Sequence, residues 1–319
     1  MSEAVPGKPW QVYELSAGEA QELGLENLPG SSGKYTQSDY SNFIAVHEEH
    51  GVIGKGDLYE APEYMIMEAA EIPEEYRGLR SGDQSPFRDL IEARIEASGD
   101  KDMKTSAVTR HSITQHTYSD YGFTSTGITP LPEPSSKPLM PMWNGDFQAR
   151  NVFVAPEVEE FVESATEGVF ETRFREASTP EFMERGYESR SRGSGNGPLK
   201  FNIDSGLKKP EEIAKRIDTK SGIADSYITS AILELEDPAT QATSRELYGR
   251  GYRPIRVDVP DKSIGTPPQL VMRKLHQPME NLELTDESID LLEKAGINFE
   301  VEETGKKSTE LNLLENEVF

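Results

Sequence analysis

The clearest helical pattern in the chain lies between Ser85 and Gly99. Ser85 is a favoured helix-capping residue, proline follows it in the first turn, and Gly99 is a typical stop. Between them, apolar residues recur at helical spacing and form a single stripe: Phe87, Leu90, Ile91 and Ile95. The pattern therefore predicts one amphipathic helix that begins at Pro86.

Similar signals predict further helices towards the C-terminus. Pro156 begins a stripe of apolar residues with acidic residues in its first turn: Val158, Phe161, Val162, Ala165 and Val169. Thr285 caps a helix that continues through Ile289, Leu292 and Ala295 and ends at Gly296. Shorter helices are predicted from Thr179-Pro180 to Gly186 and from Pro210 onwards.

The remaining apolar segments favour strands. Residues 1–84 alternate short apolar stretches with glycine-rich turns, and the Thr-, Ser- and Tyr-rich segment Thr105 to Thr126 lacks good helix formers. Tyr227 to Glu236 fits either a strand or a helix, and the abrupt stop at Asp237-Pro238 favours a strand. Further strands are predicted over Tyr252 to Val259 and after Gly296, while Ser189 to Pro198 has the composition of a flexible loop.

Because helices and strands follow in no regular alternation, the pattern predicts an α+β fold with mixed sheets, several helices and long extended arms or loops, compatible with a capsid-shell architecture. Five prolines fall within a dozen residues: Pro130, Pro132, Pro134, Pro138 and Pro141. This density predicts an arm or linker. The predicted division is 1–129, a proline-rich arm at 130–142, an α+β domain at 143–302 and a C-terminal tail at 303–319.

Charge restricts the classes of partner. The chain has 319 residues, with 57 Asp plus Glu against 33 Lys plus Arg, a formal charge of -24. A strongly acidic surface repels nucleic-acid phosphates and acidic membranes, so we expect no direct binding to either. No basic stretch followed by an apolar run marks a secretory signal, which favours a cytoplasmic or virion location. The acidic excess also indicates a host adapted to high salt.

The residues usually found in metal and thiol sites are scarce. The chain has no cysteine, so thiolate metal sites and disulfides are excluded. His47 and His50 are three positions apart, whereas the helical zinc-protease motif needs a spacing of four, and Gly51 occupies that position. We interpret the two histidines as residues of a solvated loop edge and expect neither a metal nor a cofactor.

Three short motifs together form one candidate catalytic set. They are Tyr76-Arg77-Gly78-Leu79, Phe123-Thr124-Ser125-Thr126 and Glu234-Leu235-Glu236. These resemble the arginine, Ser-Thr-Ser and Glu-x-Glu signatures of mono-ADP-ribosyltransferases over roughly a dozen residues. The resemblance implies NAD as cofactor, with Arg77 on its phosphates, Ser125 supporting the glutamates, and Glu234 or Glu236 stabilising the oxocarbenium-like centre. Arg77 departs from the pattern because it does not follow an apolar strand.

The composition favours a different function. Apolar residues make up 35% of the chain, which also contains 26 Gly and 21 Pro, so the material for a core is limited. We therefore predict a non-catalytic assembly protein, such as a capsid or tail-associated virion subunit, that binds copies of itself or other particle subunits. Apolar residues of the tail would form the contacts: Leu311, Leu313, Leu314, Val318 and Phe319. The alternatives are the NAD-dependent transferase and a small binding module with a disordered arm.

Overall fold

A computed structural model describes most of the chain, which divides into two compact units, Met1–Ser106 and Ala107–Phe319. The predicted α+β fold is confirmed, whereas a capsid-like architecture is not shown. The predicted division at 130–142 stays a prediction. The described residues are 8–23, 40–62, 64–108, 112–129, 139–177, 187–192, 199–205, 209–223, 228–259, 266–275, 279–297, 299–303 and 309–313.

The first unit is built on one sheet with the strand order β1-β2-β3-β4-β5. Neighbouring strands are antiparallel up to β4, and β4 and β5 are parallel. The elements are β1 Trp10–Leu15, α1 Ala17–Glu22, β2 Tyr40–His47, β3 Gly51–Glu60, β4 Tyr64–Glu71, a 3-10 turn Glu74–Tyr76, α2 Pro86–Ser98 and β5 Asp102–Val108. The last two residues of β5 fall in the second unit.

Helix α2, predicted from the sequence, packs on β1 to β4 and forms the core of the first unit. Leu90 and Ile91 are fully buried, as predicted for its apolar stripe. The Ser85 hydroxyl accepts a hydrogen bond from the Arg88 amide at 3.2 Å, which confirms the predicted cap. Trp10 Nε1 donates to Asp89 Oδ2 at 2.7 Å and attaches β1 to the first turn of α2.

The second unit contains one five-stranded sheet, one three-stranded sheet and two pairs of strands among its described residues, with the orders β10-β11-β12-β14-β13 and β15-β17-β16 and the pairs β6-β7 and β8-β9. Its elements are α3 Ser112–Asp120, β6 Thr124–Ser125, β7 Leu139–Asn144, β8 Phe147–Val152, α4 Pro156–Thr166, β9 Phe170–Phe174, β10 Tyr187–Arg192, β11 Leu199–Ser205, α5 Pro210–Ile223, β12 Ile228–Glu234, α6 Ala239–Gly249, β13 Arg253–Asp258, β14 Gln269–Leu275, β15 Met279–Glu283, α7 Asp286–Lys294, β16 Phe299–Glu303 and β17 Thr309–Leu313.

Most patterned elements of the second unit agree with their predictions. In α4 the stripe Val158, Phe161, Val162 and Ala165 is fully buried. The ambiguous segment at 227–236 contains strand β12, as favoured. The Thr285 hydroxyl caps α7 by accepting from the Ser288 amide at 3.3 Å.

Three predictions of local structure are not confirmed. The strand prediction over Thr105 to Thr126 is wrong at its centre, which is helix α3. Burial of Gln115 and Tyr118 explains this, because tertiary packing overrides a weak local preference. The loop prediction at 189–198 is wrong up to Arg192, because β10 pairs there with β11, and residues 193–198 lie outside the described part. The helix predicted over 179–186 also lies outside it.

Two predicted arms are only partly described. Residues 139–142 of the proline-rich segment belong to β7, which pairs with β6, and residues 130–138 lie outside the described part. In the tail, the backbone of Leu311 pairs with Leu282 of β15 and with Val301 of β16. Leu313 is also in β17, whereas Leu314, Val318 and Phe319 lie outside the described residues. Their role in assembly stays a prediction.

The two units repeat one arrangement of elements. In the first unit, the antiparallel pair β3-β4 is followed by α2 and by β5, which is parallel to β4. In the second unit, the antiparallel pair β10-β11 is followed by α5 and by β12, which is parallel to β11. Each arrangement is followed along the chain by a helix, α3 or α6, and two antiparallel strands.

The helices α3 and α6 also end in the same way. Gly122 has φ +79° after α3 and Gly251 has φ +86° after α6, both in the left-handed region that glycine favours. The next residue, Phe123 or Tyr252, donates its amide to a carbonyl five positions back, at 3.1 Å and 3.0 Å. The likeness between the two arrangements therefore extends to backbone detail.

Within the part of the chain that the structure describes, no helix has both the length and the apolar composition needed to cross a membrane.

Candidate functional site

The most distinctive feature of the first unit is an opening between the parallel strands β4 and β5. Their ladder contains Tyr64 with Asp102, Met65 with Met103 and Ile66 with Lys104. It ends there among the described residues, although β4 continues to Glu71. Beyond the ladder, the parallel pairing between β4 and β5 does not continue among the described residues, and this region is the opening.

A side chain marks the closed end of this opening. The Thr105 hydroxyl donates to the carbonyl of Met67 at 3.1 Å and replaces a backbone hydrogen bond immediately past the last ladder pair. Thr105 is buried, so the hydrogen bond is shielded from water. The opening thus begins at Met67 and extends towards the carboxyl end of β4.

Strand β4 is also bulged inside the opening. On its other edge, Asp57 of β3 pairs with Glu68 and Gly56 pairs with Ala70, so Ala69 is the extra residue. A bulge bends its strand and increases the local twist, and it redirects backbone groups. The bulge at Ala69 therefore bends β4 in the stretch that follows its last ladder pair with β5.

The N-terminus of helix α2 lies at the same end of the sheet as the opening. Because α2 connects two parallel strands, it begins near the carboxyl end of β4, where the strands have parted. The segment that joins them contains Ser81 and Gln84, which exchange backbone hydrogen bonds at 3.1 and 3.2 Å around Gly82 at φ +63°. A helix N-terminus that follows a tight turn favours anions through its dipole and its unpaired amides.

Two exposed arginines lie in this segment. Arg77 Nε donates to the Ile72 carbonyl at 3.0 Å, and Arg80 Nη1 donates to the carbonyls of Arg77 and Leu79 at 3.3 and 3.0 Å. Among the described residues neither arginine forms an ion pair, although the chain has 57 acidic residues. Both guanidinium groups thus keep their charge available at the end of the opening.

The corresponding strands of the second unit do not part in the same way. The parallel ladder between β11 and β12 joins five consecutive residues, from Leu199 with Thr229 to Ile203 with Leu233. It occupies most of both strands. The second unit therefore has the same order of elements without the opening.

The candidate residues of the transferase resemblance lie on separate elements. Ser125 is in β6, next to Gly127, which bridges to Arg256 of β13. Glu234 ends β12, and β14 lies between β12 and β13. Three strand spacings of about 4.8 Å separate the serine's strand from β12, so the structure does not bring Ser125 and Glu234 together.

The other two candidates have local partners. The Glu236 carboxylate accepts from Arg150 Nη1 at 3.1 Å. Arg77 belongs to the first unit, where it bonds to the end of β4.

The histidine pair lies in the first unit. The ring centroids of His47 and His50 are 4.5 Å apart, and His50 lies 5.5 Å from the ring of Tyr76. The His47 Nδ1 accepts from the Glu49 amide at 3.1 Å, which leaves this nitrogen engaged. Among the described residues, no three or more potential metal ligands lie together in a cluster that could hold an ion.

Several charged and polar side chains of the second unit lie between its helices and strands. Burial, together with the nearby Arg256, lowers the pKa of Arg273 to about 10, and Asp258 acts in the opposite direction. Burial raises the pKa of Tyr252, and Asp218 adds to this effect. Asp218 also accepts from Arg250 at 3.3 Å and from Lys274 at 3.5 Å, and these contacts connect α5 with α6 and β14.

The sequence interpretation missed most of the opening, although a signal was present. Gly54 and Gly56 lie two positions apart in β3. A glycine inside a strand often marks a bulge or a close approach of another group. Added Cβ atoms at these positions would lie 2.3 Å from Ile72 and 3.2 Å from Arg94. Arg77 lies at the end of the opening and also belongs to the predicted catalytic set, where it is selected for its resemblance to an arginine that binds NAD phosphates.

No protein-family model and no curated protein matches the chain. Solved structures similar to it include an IAA acetyltransferase from Bacillus cereus ATCC 14579 (14% identity, TM-score 0.34, covering 42% of this chain and 97% of that chain). A spermidine N-acetyltransferase from Vibrio cholerae has 15% identity and a TM-score of 0.33, covering 42% and 92%. A GNAT family acetyltransferase from Elizabethkingia anophelis, solved with acetyl-CoA bound, has 16% identity and a TM-score of 0.33, covering 42% and 97%.

TM-scores this low do not establish a shared fold or activity. The structures named above are acetyltransferases, in place of the predicted non-catalytic capsid, virion or assembly subunit from a high-salt system. That prediction is wrong, and its ADP-ribosyltransferase alternative is not retained. The composition argument failed because average composition does not show where apolar residues lie: Leu90 and Ile91 are fully buried in the first unit, and Phe161 and Leu247 in the second.

Proposed function

We propose that the first unit binds an acyl-coenzyme A and transfers its acyl group to an amine. The single observation that supports this proposal is the opening between β4 and β5, bulged at Ala69. The names of the similar structures agree with the proposal, which rests on the geometry of this chain.

The pantetheine part of coenzyme A has the chemistry that such an opening accepts. It is an extended chain with two amide groups, so it can pair with the free edge of a strand, as an added peptide strand does. In this arrangement it would bind backbone groups of β4 beyond Met67 and take the place that β5 leaves. Because the contacts are made by backbone groups, the side chains of β4 do not reveal them.

The phosphate groups fit the carboxyl end of the opening. The turn around Gly82 and the N-terminus of α2 provide backbone amides, and Arg77 and Arg80 provide charge that no carboxylate among the described residues neutralises. Local positive charge is needed because the chain as a whole, at -24, repels an anionic ligand.

The reaction needs a polarised thioester carbonyl. The amine nitrogen attacks this carbon and forms a C–N bond, and the resulting oxyanion then collapses with cleavage of the C–S bond. The amine loses one proton and the departing thiolate takes one, so the products are an amide and free coenzyme A. Backbone N–H groups at the bulge are suited to stabilise the oxyanion, since preorganised donors in a site of this kind act mainly on the transition state.

A binding and turnover experiment tests the proposal. Titration calorimetry with acetyl-coenzyme A should show saturable binding, and incubation with a panel of primary amines and polyamines should release free thiol. The chain has no cysteine, so a thiol reagent reports coenzyme A without background from the protein. Absence of binding and of thiol release with every amine would end the proposal.

Matched arginine variants locate the ligand. Arg77→Ala combined with Arg80→Ala should weaken acetyl-coenzyme A binding about 100-fold or more, because each of the two charge-assisted contacts contributes about 1.5 to 3 kcal/mol and about 1.4 kcal/mol is tenfold. Arg245→Ala is the control, because this arginine is exposed on α6 in the second unit. Equal loss in both proteins would show that only the overall charge matters. Adding NAD as a competitor tests the cofactor named by the sequence interpretation.

A cytoplasmic location is part of this proposal. The expectations of no cofactor and of self-association stay predictions.

A further inference from the structure

Arg94 of α2 is a buried cation that has no role in the steps of the proposed reaction given above. Its side chain is 0% exposed, and among the described residues no carboxylate forms an ion pair with it. Its Nη2 is buried and has no hydrogen-bond partner there. An unpaired guanidinium in a core is costly, and an apolar residue of similar volume would normally be more stable at such a position.

The guanidinium binds the backbone at the bulge. Nη1 donates to the Glu68 carbonyl at 3.0 Å and to the Asp57 carbonyl at 3.4 Å, while Nε donates to Leu90 of its own helix at 3.0 Å. Asp57 and Glu68 are the paired residues directly beside the extra residue Ala69. Arg94 therefore connects both strands to α2 at the position where the register shifts.

Gly56 makes this contact possible. An added Cβ at Gly56 would lie 3.2 Å from Arg94 Cζ and 3.3 Å from both Nε and Nη1. The guanidinium thus lies against the glycine backbone, and a methyl group there would require it to shift by a few tenths of an ångström relative to the two carbonyls.

We propose that Arg94 is a positioning residue that holds the bulge of β4 in place and thereby orients the backbone groups that polarise the thioester. This inference rests on the proposed function. Because Arg94 acts through backbone that binds the reacting carbonyl, its loss should affect the transition state more than ground-state binding. A small displacement of catalytic groups is enough to lower turnover strongly.

Kinetics of Arg94 variants test the proposal. In Arg94→Met, kcat for acyl transfer should fall about 10- to 100-fold while KM for acetyl-coenzyme A changes less than about threefold. Arg94→Lys keeps the charge but reaches fewer carbonyls, so it should show an intermediate kcat. Added guanidinium should partly restore turnover in Arg94→Ala. Arg245→Met serves as the matched control and should keep the kcat of the parent.

Two measurements distinguish a variant that fails to fold from one that folds and loses turnover. Circular dichroism and thermal unfolding identify variants that fail to fold, and if Arg94→Met is one of them, Gly56→Ala replaces it, because it displaces the guanidinium and keeps the charge. A folded variant, Arg94→Met or Gly56→Ala, with the kcat of the parent would overturn the inference. Equal falls in kcat for Arg94→Met and the Arg245→Met control would also overturn it.

Hydrogen exchange separates this inference from the proposed function. If the parent neither binds acetyl-coenzyme A nor releases thiol, the proposed function fails. Amides of residues 65–71 should still exchange faster in Arg94→Met than in the parent, because the bulge is released. Unchanged exchange there would refute the positioning role by itself.

Discussion

Replacing Thr105 with valine isolates the hydrogen bond at the closed end of the opening. Valine has nearly the shape of threonine, but it cannot donate to the Met67 carbonyl, which now accepts at 3.1 Å. Thr105 is only 2% exposed, so water is poorly placed to substitute. The variant loses one hydrogen bond and leaves a buried carbonyl unsatisfied, which should lower the free energy of unfolding by about 1 to 3 kcal/mol.

Thr105→Ser is the matched control. It keeps the hydroxyl and removes one methyl group, which costs about 0.8 kcal/mol when fully buried. The hydrogen-bond argument therefore predicts that valine destabilises the first unit more than serine does, although valine is the more hydrophobic residue. A reading based on core hydrophobicity alone predicts the opposite order.

Urea unfolding followed by tryptophan fluorescence measures this difference. The protein has two tryptophans, of which Trp10 lies buried in the first unit and Trp143 in the second. A Trp143→Phe background makes the signal specific to the first unit. If Thr105→Val is as stable as the parent, or more stable than Thr105→Ser, the assigned hydrogen bond does not stabilise the opening.

Three further predictions concern other parts of the molecule. Gly127→Ala should lower the free energy of unfolding by about 2 kcal/mol or more in thermal unfolding, because φ is +132° and the added Cβ would lie 2.2 Å from the Ile255 carbonyl oxygen. Gly18→Ala is the control and should cost nothing, because no atom lies within 4 Å of its added Cβ. Equal effects of the two substitutions would contradict the steric argument. The side-chain and backbone hydrogen bonds of Ser16 lower the pKa of Glu19 below its ordinary 4.5, so their stabilisation is present above that pH and is lost as pH falls through the lowered value. Glu19→Gln should thus be less stable than the parent near neutral pH and equal to it in acid, whereas a pH-independent difference in urea unfolding would count against the capping box. Calorimetry should give one acetyl-coenzyme A per chain, since the β11-β12 ladder stays paired, and two equivalent sites would show that pairing does not exclude the ligand.

The sequence by itself determined the elements whose stabilising interactions are local. Caps and stripes identified α2, α4 and α7 because Ser85, Pro156 and Thr285 lie next to the apolar residues that they precede. It also determined the α+β class and the absence of any cysteine thiol. It failed at α3, where buried Gln115 and Tyr118 give a helix that local preference does not favour.

Tertiary structure alone decided the candidate site, because the opening depends on backbone groups and on pairs distant in sequence. Asp57 meets Glu68 only when β3 and β4 pair, and the bulge at Ala69 exists only in that register. The Thr105 hydroxyl is 38 positions from the carbonyl that it binds, and Arg94 is 26 positions from Glu68. Such contacts leave no periodic signal in a single sequence, since they depend on how a sheet bends and not on which residues alternate along it.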